Sequence, residues 1–280
     1  MTQPWKLDAP DRRRTWTPQL VTQLVVVLAV LAAGVTGAGL LRGREDGGDV
    51  LRIVQAASAS AARQPTLRAT FTFRVSGSGV DVTSTGDVLV DTVRRISSGT
   101  VTAPGVGALD TVSSGGVSYA RLPGGRADAA GHHWVALRLL RPGVLPPVGG
   151  QDPLSALKLV SDPKKVEVLG GERINGVSTQ HYRVQLEPNR LAGALATSGL
   201  SISIPPGALD ALKSARIELW VDAKNLPRRM TMTFAMSSLK ASLAFDYLDY
   251  GKAFEVTLPP VTDVTEVTSV QQLGAALVGH

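Results

Sequence analysis

The sequence contains no cysteine, which excludes disulfides, thiolate metal ligands and a cysteine nucleophile. It also excludes the cysteine that is acylated in bacterial lipoproteins. Aromatic residues make up only 5% of the chain, and the net charge of +6 is scattered, with no Lys/Arg block beyond the N-terminal region. Nucleic-acid-binding proteins usually carry a basic patch with aromatic residues interleaved. We therefore expect no nucleic-acid partner.

Motifs that carry catalysis are also missing. The chain has no Gly-x-Ser-x-Gly turn, no P-loop and no catalytic pair of carboxylates, so we expect neither an enzyme nor a cofactor. His132 and His133 are adjacent, and adjacent residues on a strand face opposite ways, which disfavours a shared metal ion. His181 falls on the polar face of its strand. This position favours a solvent-exposed side chain over a site residue.

One apolar stretch, residues 20–41, has no charged residue and is long enough to span a membrane as a helix. Lys6 and the run Arg12-Arg13-Arg14 precede it, and this basic bias predicts a cytoplasmic N-terminus with the rest of the chain outside. A cleaved signal peptide is the alternative, because Thr36-Gly37-Ala38 is a passable cleavage site. We favour a single-pass anchor in the cell membrane that is retained.

The last third of the chain alternates apolar and polar residues in three consecutive runs between residues 216 and 258. A period of two predicts β-strands with one dry and one wet face, and short joints favour antiparallel neighbours. The dry face carries every methionine except Met1, and this flexible side chain suits irregular apolar shapes. Together with earlier strands, this pattern predicts an apolar cavity, although a packed core that happens to use methionine is the alternative. The predicted lining consists of Phe71, Phe73, Val75, Tyr182, Val184, Ile217, Leu219, Met230, Met232, Phe234, Met236, Leu243 and Phe245.

The overall pattern predicts an α+β fold, in which about ten strands form a strongly curved antiparallel sheet closed by helices. The dipeptide Asn175-Gly176 predicts a type I′ hairpin. Residues 138–150 and 188–214 mix apolar residues with Pro and Gly, and we expect them to flank the mouth of the cavity. The predicted organisation is a cytoplasmic tail (1–19), a transmembrane anchor (20–41), a linker (42–49), one domain with one core (50–268) and a C-terminal tail (269–280).

Two hairpins carry a resemblance to a known family. The first, Gly171-Glu172-Arg173-Ile174-Asn175-Gly176-Val177 followed by His181-Tyr182-Arg183, is similar to the "G-x-E-x-v-x-G-v-x-T-x-H-Y" hairpin of the LppX/LprG lipoproteins of actinobacteria. The second, Leu219-Trp220-Val221-Asp222-Ala223 followed by Leu226-Pro227-Arg228-Arg229, resembles their "v-W-v-D-x-x-g-L-p-r-r" hairpin. The resemblance implies the half-open β-barrel of LolA and RseB, closed by helices around an apolar cavity. The family's lipid-modified cysteine is missing here, which suggests a protein tethered by residues 20–41.

Two functional classes follow from the resemblance. The first is a membrane-tethered extracytoplasmic protein that holds lipid or acyl chains for envelope lipid transport or assembly. The second is an RseB-like regulatory or scaffolding ectodomain that binds another envelope protein. The expected partners are accordingly a lipid or acyl chain, the cytoplasmic membrane and, in the second class, an envelope protein. Arg228 and Arg229 could hold a lipid phosphate, but their place at a hairpin end favours solvated side chains. Trp220 leaves the dry face by parity, and we expect it to pack on the opposite side.

Overall fold

The computed structural model describes residues 48–77, 79–115, 117–138, 153–160, 163–186, 215–236 and 239–278. No helix within these ranges is long and apolar enough to cross a membrane. The predicted anchor (20–41), residues 188–214 and all but the first residue of 138–150 lie outside the described ranges. The described helices are α1 (Gly48–Ala62), α2 (Pro153–Leu159) and α3 (Val270–Val278). The described strands are β1 (Thr66–Gly77), β2 (Val80–Asp91), β3 (Ile96–Ala103), β4 (Gly107–Ser114), β5 (Val117–Arg121), β6 (Trp134–Arg138), β7 (Lys165–Ile174), β8 (Val177–Gln185), β9 (Arg216–Asp222), β10 (Pro227–Met236), β11 (Leu239–Tyr250) and β12 (Val264–Val267).

All twelve described strands form one large, open, curved sheet in the order β12-β6-β5-β4-β3-β2-β1-β11-β10-β9-β8-β7. Strands β1 to β6 pair in sequence order, as do β7 to β11, because short turns favour antiparallel pairing of neighbours. The antiparallel pairing of β1 with β11 joins these two meanders at the centre of the sheet. The predicted α+β class with a large curved antiparallel sheet is therefore confirmed.

The alternating apolar residues of the sequence are buried together on one face of the sheet. In β1, Leu67, Ala69, Phe71, Phe73 and Val75 are each 2% exposed or less, while the residues between them are exposed or half-buried. The predicted type I′ hairpin is also confirmed. Asn175 and Gly176 have φ values of 49° and 81°, and this turn requires a positive φ at both central residues.

Strand β3 begins at Ile96, after a turn that follows β2. The Asp91 carboxylate accepts hydrogen bonds from the backbone N–H groups of Val93 (3.0 Å) and Arg94 (2.7 Å). This local bonding holds residues 91–94 in a turn, because an aspartate side chain can take the place of a backbone acceptor there. Val93 is consequently 77% exposed.

Gly86 on β2 is required by close packing. A Cβ atom at this position would lie 2.5 Å from the carbonyl oxygen of Thr100 and 2.6 Å from the ring of Phe71. Phe71 is the cross-strand partner of Gly86, so the aromatic ring occupies the space that a side chain would need. Glycine here lets β1 and β2 pair without moving the Phe71 ring.

The main hydrophobic core lies between α1, α2 and one face of β1, β2 and β8 to β11. We call this sheet surface the helix-covered face. A second cluster packs α3 against β6: Leu273 and Leu277 are 1% and 6% exposed and contact Val135 and Leu137. A third, smaller cluster forms around Ile96. The expectation of one core is therefore wrong, because strands about 4.8 Å apart carry the sheet beyond the reach of two helices.

Strand β12 was not predicted and is the one parallel strand among those described. It pairs with β6 from Val264 opposite Trp134 to Val267 opposite Leu137. After Pro260 the sequence predicts an extended segment and a weak helix with Val270, Leu273 and Leu277 on one side, and α3 confirms the helix. The strand was missed because a parallel partner has no local turn to announce it. Residues 264–278 thus add a strand and a packed helix to the far end of the sheet.

Candidate functional site

The predicted lining residues meet on the helix-covered face. Those with described side chains are all 6% exposed or less and belong to the main core. Phe234 and Met236 lie in β10, but their side chains are outside the described part of the chain. Val75 lies toward one end of the face, opposite Ala241. The role of the predicted residues as the lining of a cavity stays a prediction.

Strand register arranges most of these residues in two rows that cross five neighbouring strands, β8, β9, β10, β11 and β1. Five strands span about 20 Å, since neighbours are about 4.8 Å apart. At the middle of each row stands a methionine, which adapts to irregular apolar shapes. The first row is Tyr182, Leu219, Met230, Phe245 and Phe71, and the second is Val184, Ile217, Met232, Leu243 and Phe73.

The helices that cover this face contribute alanines together with larger apolar side chains. From α1, Val54, Ala57 and Ala61 are fully buried, and Val50 and Ile53 pack against the same core. Burying one methylene stabilises by about 0.8 kcal/mol, and fully burying a Val, Ile or Leu side chain by about 1.5–3 kcal/mol. The β-branched residues of α1 therefore contribute more to its contact with the sheet than its two alanines do.

One hydrogen bond from the sheet holds the start of α2. The Tyr247 hydroxyl donates a hydrogen bond to the carbonyl of Pro153 (3.0 Å), the first residue of α2. Within the row, burial raises the pKa of the Tyr182 phenol. An ionised phenol is disfavoured in apolar surroundings, so Tyr182 is neutral and its ring packs with the apolar side chains of the row.

On the opposite face, the prediction for His181 is wrong. Its side chain is only 17% exposed, and its ring stacks on Trp220 with centroids 4.0 Å apart and an interplanar angle of 12°. Glu172 accepts a hydrogen bond from the indole N–H of Trp220 (2.7 Å), and Glu218 lies 3.4 Å from His181 Nε2. The sequence could not indicate this, because burial comes from a residue on the neighbouring strand. Trp220 itself is 6% exposed on the predicted side.

Arg228 and Arg229 are also less solvated than predicted. Arg228 donates two hydrogen bonds to Asp222 (2.9 and 2.7 Å) and lies 5.5 Å from the centre of the Tyr250 ring. Arg229 donates two to Asp246 (2.6 and 3.0 Å), and this hydrogen bonding raises the pKa of the Arg229 guanidinium. Both guanidinium groups thus already hold a carboxylate of the chain itself.

The two adjacent histidines connect β6 to the segment that contains β12. His133 Nδ1 lies 2.8 Å from Asp263 Oδ1, and His132 Nδ1 lies 2.8 Å from the hydroxyl of Thr265. The Thr265 hydroxyl donates in turn to Asp128, and this bond together with backbone N–H donors lowers the pKa of Asp128 to about 2. In the described ranges, no group of three His, Cys, Asp or Glu residues could hold a metal ion. These contacts fasten β12 to the sheet.

Two surface cavities lie away from the helix-covered face. One, of about 500 Å³, is at the end of α1, and the other, of about 360 Å³, is beside the start of β1. Neither is lined by any residue of the predicted cavity.

The sequence matches no protein family model and no curated protein. Among solved structures, the chain is similar to the lipoprotein LppX of Mycobacterium tuberculosis, with 14% identity, a TM-score of 0.48, and coverage of 75% of this chain and 100% of that chain. It is also similar to LprF from Mycobacterium bovis, with 14% identity, a TM-score of 0.47, and coverage of 76% and 96%. The complex of MucA and MucB from Pseudomonas aeruginosa gives 16% identity, a TM-score of 0.37, and coverage of 74% and 59%. The structural neighbours thus include LppX. The lipoprotein family that the two hairpins resemble takes part of its name from this protein.

Proposed function

We propose that this chain is a membrane-tethered extracytoplasmic protein that holds lipid or acyl chains on its helix-covered face, for lipid transport or assembly in the cell envelope. The observation that carries the proposal is the pair of apolar rows across five strands, with Met230 and Met232 at their centres. The resemblance of two hairpins to the LppX/LprG lipoproteins points to the same class of ligand.

In the proposed binding event, an acyl chain takes the place of α1 against the sheet. Each buried methylene of the ligand gains about 0.8 kcal/mol, and a long acyl chain offsets in this way the lost contacts of the valines, Ile53 and the alanines of α1. The methionines then adjust their side chains to the new apolar surface. Residues 138–150 and 188–214, which we predict to flank the entrance, lie outside the described ranges apart from Arg138. The proposed function is binding without catalysis, in keeping with a sequence that lacks catalytic motifs.

The first test is native mass spectrometry of the full chain, purified gently in a neutral detergent from its own host. We expect a bound lipid mass that organic extraction removes. The second test is titration with a fluorescent fatty acid after Met232→Trp, which enlarges a side chain in the second row. We expect at least tenfold weaker binding, because the indole occupies the surface that the acyl chain would cover.

Leu137→Trp is the matched control. Leu137 is fully buried, but it lies in the second cluster under α3, away from the apolar rows. Overpacking costs roughly 1–3 kcal/mol at either site, so both variants should melt earlier while only Met232→Trp loses affinity. Equal effects on fatty-acid binding in the two variants, or a purified chain that neither carries nor binds lipid, would rule out the proposal.

The alternative is an RseB-like ectodomain that binds another envelope protein. One observation favours it: β7 ends the sheet and, among the described strands, pairs only with β8. An end strand presents unpaired backbone groups to which an extended segment of a partner can pair. This alternative predicts that the purified chain carries no lipid. It also predicts that Met232→Trp does not change fatty-acid binding. The same two measurements therefore separate the two functions.

A further inference from the structure

The larger of the two cavities is built from three elements that are far apart in sequence. Arg63 comes directly after α1, the β9–β10 hairpin supplies Lys224 and Arg228, and the end of β11 supplies Asp249 and Tyr250. Its volume of about 500 Å³ is within the range of small-molecule sites. The cavity is therefore large enough for a charged group with part of the molecule that carries it.

The charges around this cavity do not cancel. Asp249 is the one acidic residue of the lining, and its carboxylate is paired with Lys252 at 2.5 Å. Arg228 is paired with Asp222. Arg63 and Lys224 are exposed, and no carboxylate of the described residues pairs with either. Two positive charges thus face the cavity without a counter-charge from the described part of the chain.

The wall that carries these charges is held in place before any ligand arrives. The Asp222 carboxylate accepts hydrogen bonds from the backbone N–H groups of Lys224 (2.8 Å) and Leu226 (2.9 Å), which fixes the turn. Arg228 is held by the same carboxylate and lies against the Tyr250 ring. A site that is already ordered loses less conformational entropy when it binds.

Three carbonyl groups at the end of α1 already accept hydrogen bonds from the chain itself. Helix C-termini carry a partial negative charge on unpaired carbonyls. Here the carbonyl of Ala59 accepts from the Arg63 backbone, that of Ala61 from the Gln64 backbone, and that of Ser60 from the Gln64 side chain. These bonds reduce the negative potential of the helix end, and the guanidinium of Arg63 donates a 3.1 Å bond to the Ser60 hydroxyl beside them.

We propose that this cavity binds an anionic group, a phosphate or carboxylate, between Arg63 and Lys224, with Arg228 forming its rigid wall. The apolar side of the cavity supports a link to the core, because Leu226 is buried and Tyr250 packs against the main cluster. The anion is then either the head group of a lipid whose chains lie on the helix-covered face, or a free anion. This inference goes beyond acyl-chain binding, since the anion site needs no acyl chain.

The test uses the full chain in a non-ionic detergent and two probes, inorganic phosphate and dihexanoyl phosphatidic acid, each titrated by calorimetry. We expect Arg63→Gln/Lys224→Gln to weaken both by at least tenfold, which corresponds to about 1.4 kcal/mol. The matched control, Lys165→Gln/Lys240→Gln, removes two charges from exposed lysines that do not line the cavity, one on β7 and one at the opposite end of β11. Its affinity should stay within twofold of the wild type.

Each outcome decides the inference. Phosphatidic acid bound at least tenfold more tightly than phosphate supports a lipid head group, and equal affinities support a free anion. Failure of the wild type to bind either probe, or an equal loss in the control variant, overturns the anion site. That failure is distinguishable from failure of the proposed function, because lipid found by native mass spectrometry and the effect of Met232→Trp do not depend on the two cations.

Discussion

Replacing Asp222 should destabilise the protein more than replacing Asp246, a more exposed carboxylate that also pairs with an arginine. Asp222 is 8% exposed, and its two oxygens accept four hydrogen bonds, two from backbone N–H groups and two from Arg228. Asp222→Ala leaves the Arg228 side chain, which is 17% exposed, without its counter-ion. It also leaves the N–H groups of Lys224 and Leu226 without this acceptor.

The magnitude follows from these contacts. Removing one partner of a buried ion pair costs about 3–5 kcal/mol, and hydrogen bonds to charged groups contribute about 1.5–3 kcal/mol each without being additive. Because Arg228 can turn partly toward water, we expect the lower end, about 3 kcal/mol. Asp222→Asn keeps an acceptor for the backbone and loses the charge, so about half of this loss is expected. Either value is a large fraction of a typical stability of about 5–15 kcal/mol.

The assay is urea unfolding followed by tryptophan fluorescence, for which Trp220 on the same strand is a local probe. A lower midpoint with an unchanged slope measures the loss of stability directly. Asp246→Ala is the matched control, because Asp246 also accepts two hydrogen bonds from an arginine, Arg229, but has a side chain 28% exposed. We expect about 1 kcal/mol there. A loss for Asp222→Ala no larger than for Asp246→Ala would refute the reasoning.

Three further predictions concern other parts of the chain. Hydrogen bonds from Thr265 and backbone N–H groups lower the pKa of Asp128 to about 2. The ionised carboxylate therefore stabilises the folded state above pH about 4, and this stabilisation is lost as the pH falls toward 2. The difference in stability between the wild type and Asp128→Asn should vanish over that interval. Gly86→Ala should cost roughly 1–3 kcal/mol through overpacking, whereas Gly274→Ala, where a Cβ meets nothing within 4 Å, should stabilise α3 by up to about 1 kcal/mol. The retained anchor at residues 20–41 predicts a full-mass protein in the membrane fraction.

Each of these three has a clear contrary result. A stability difference for Asp128→Asn that stays constant between pH 6 and pH 2 would show that the carboxylate does not titrate with folding. Equal effects of alanine at Gly86 and Gly274 in a thermal melt would contradict the close packing of β1 against β2. N-terminal sequencing that begins near Gly39 would replace the anchor by a cleaved signal peptide.

The sequence by itself determined the local features of this fold. Alternation in β1 and β9 to β11 fixes which side chains share a face, because the period of two is a property of each strand alone. The Asn175-Gly176 dipeptide fixes a hairpin turn, because few residues other than Asn and Gly tolerate two successive positive φ values. Short joints likewise fix the two meanders. These features predicted which of the described side chains of β1 and β9 to β11 share the helix-covered face.

Only the tertiary structure decided what depends on partners far apart in sequence. The parallel pairing of β12 with β6, the burial of His181 under Trp220 and the cavity between Arg63 and Lys224 each join segments that have no common local pattern. The charged pairs Arg228–Asp222 and Arg229–Asp246 depend on turn geometry and strand register in the same way. Periodicity assigns each residue to a face, but register decides which side chain stands opposite it, and register is set by the packing of the whole sheet.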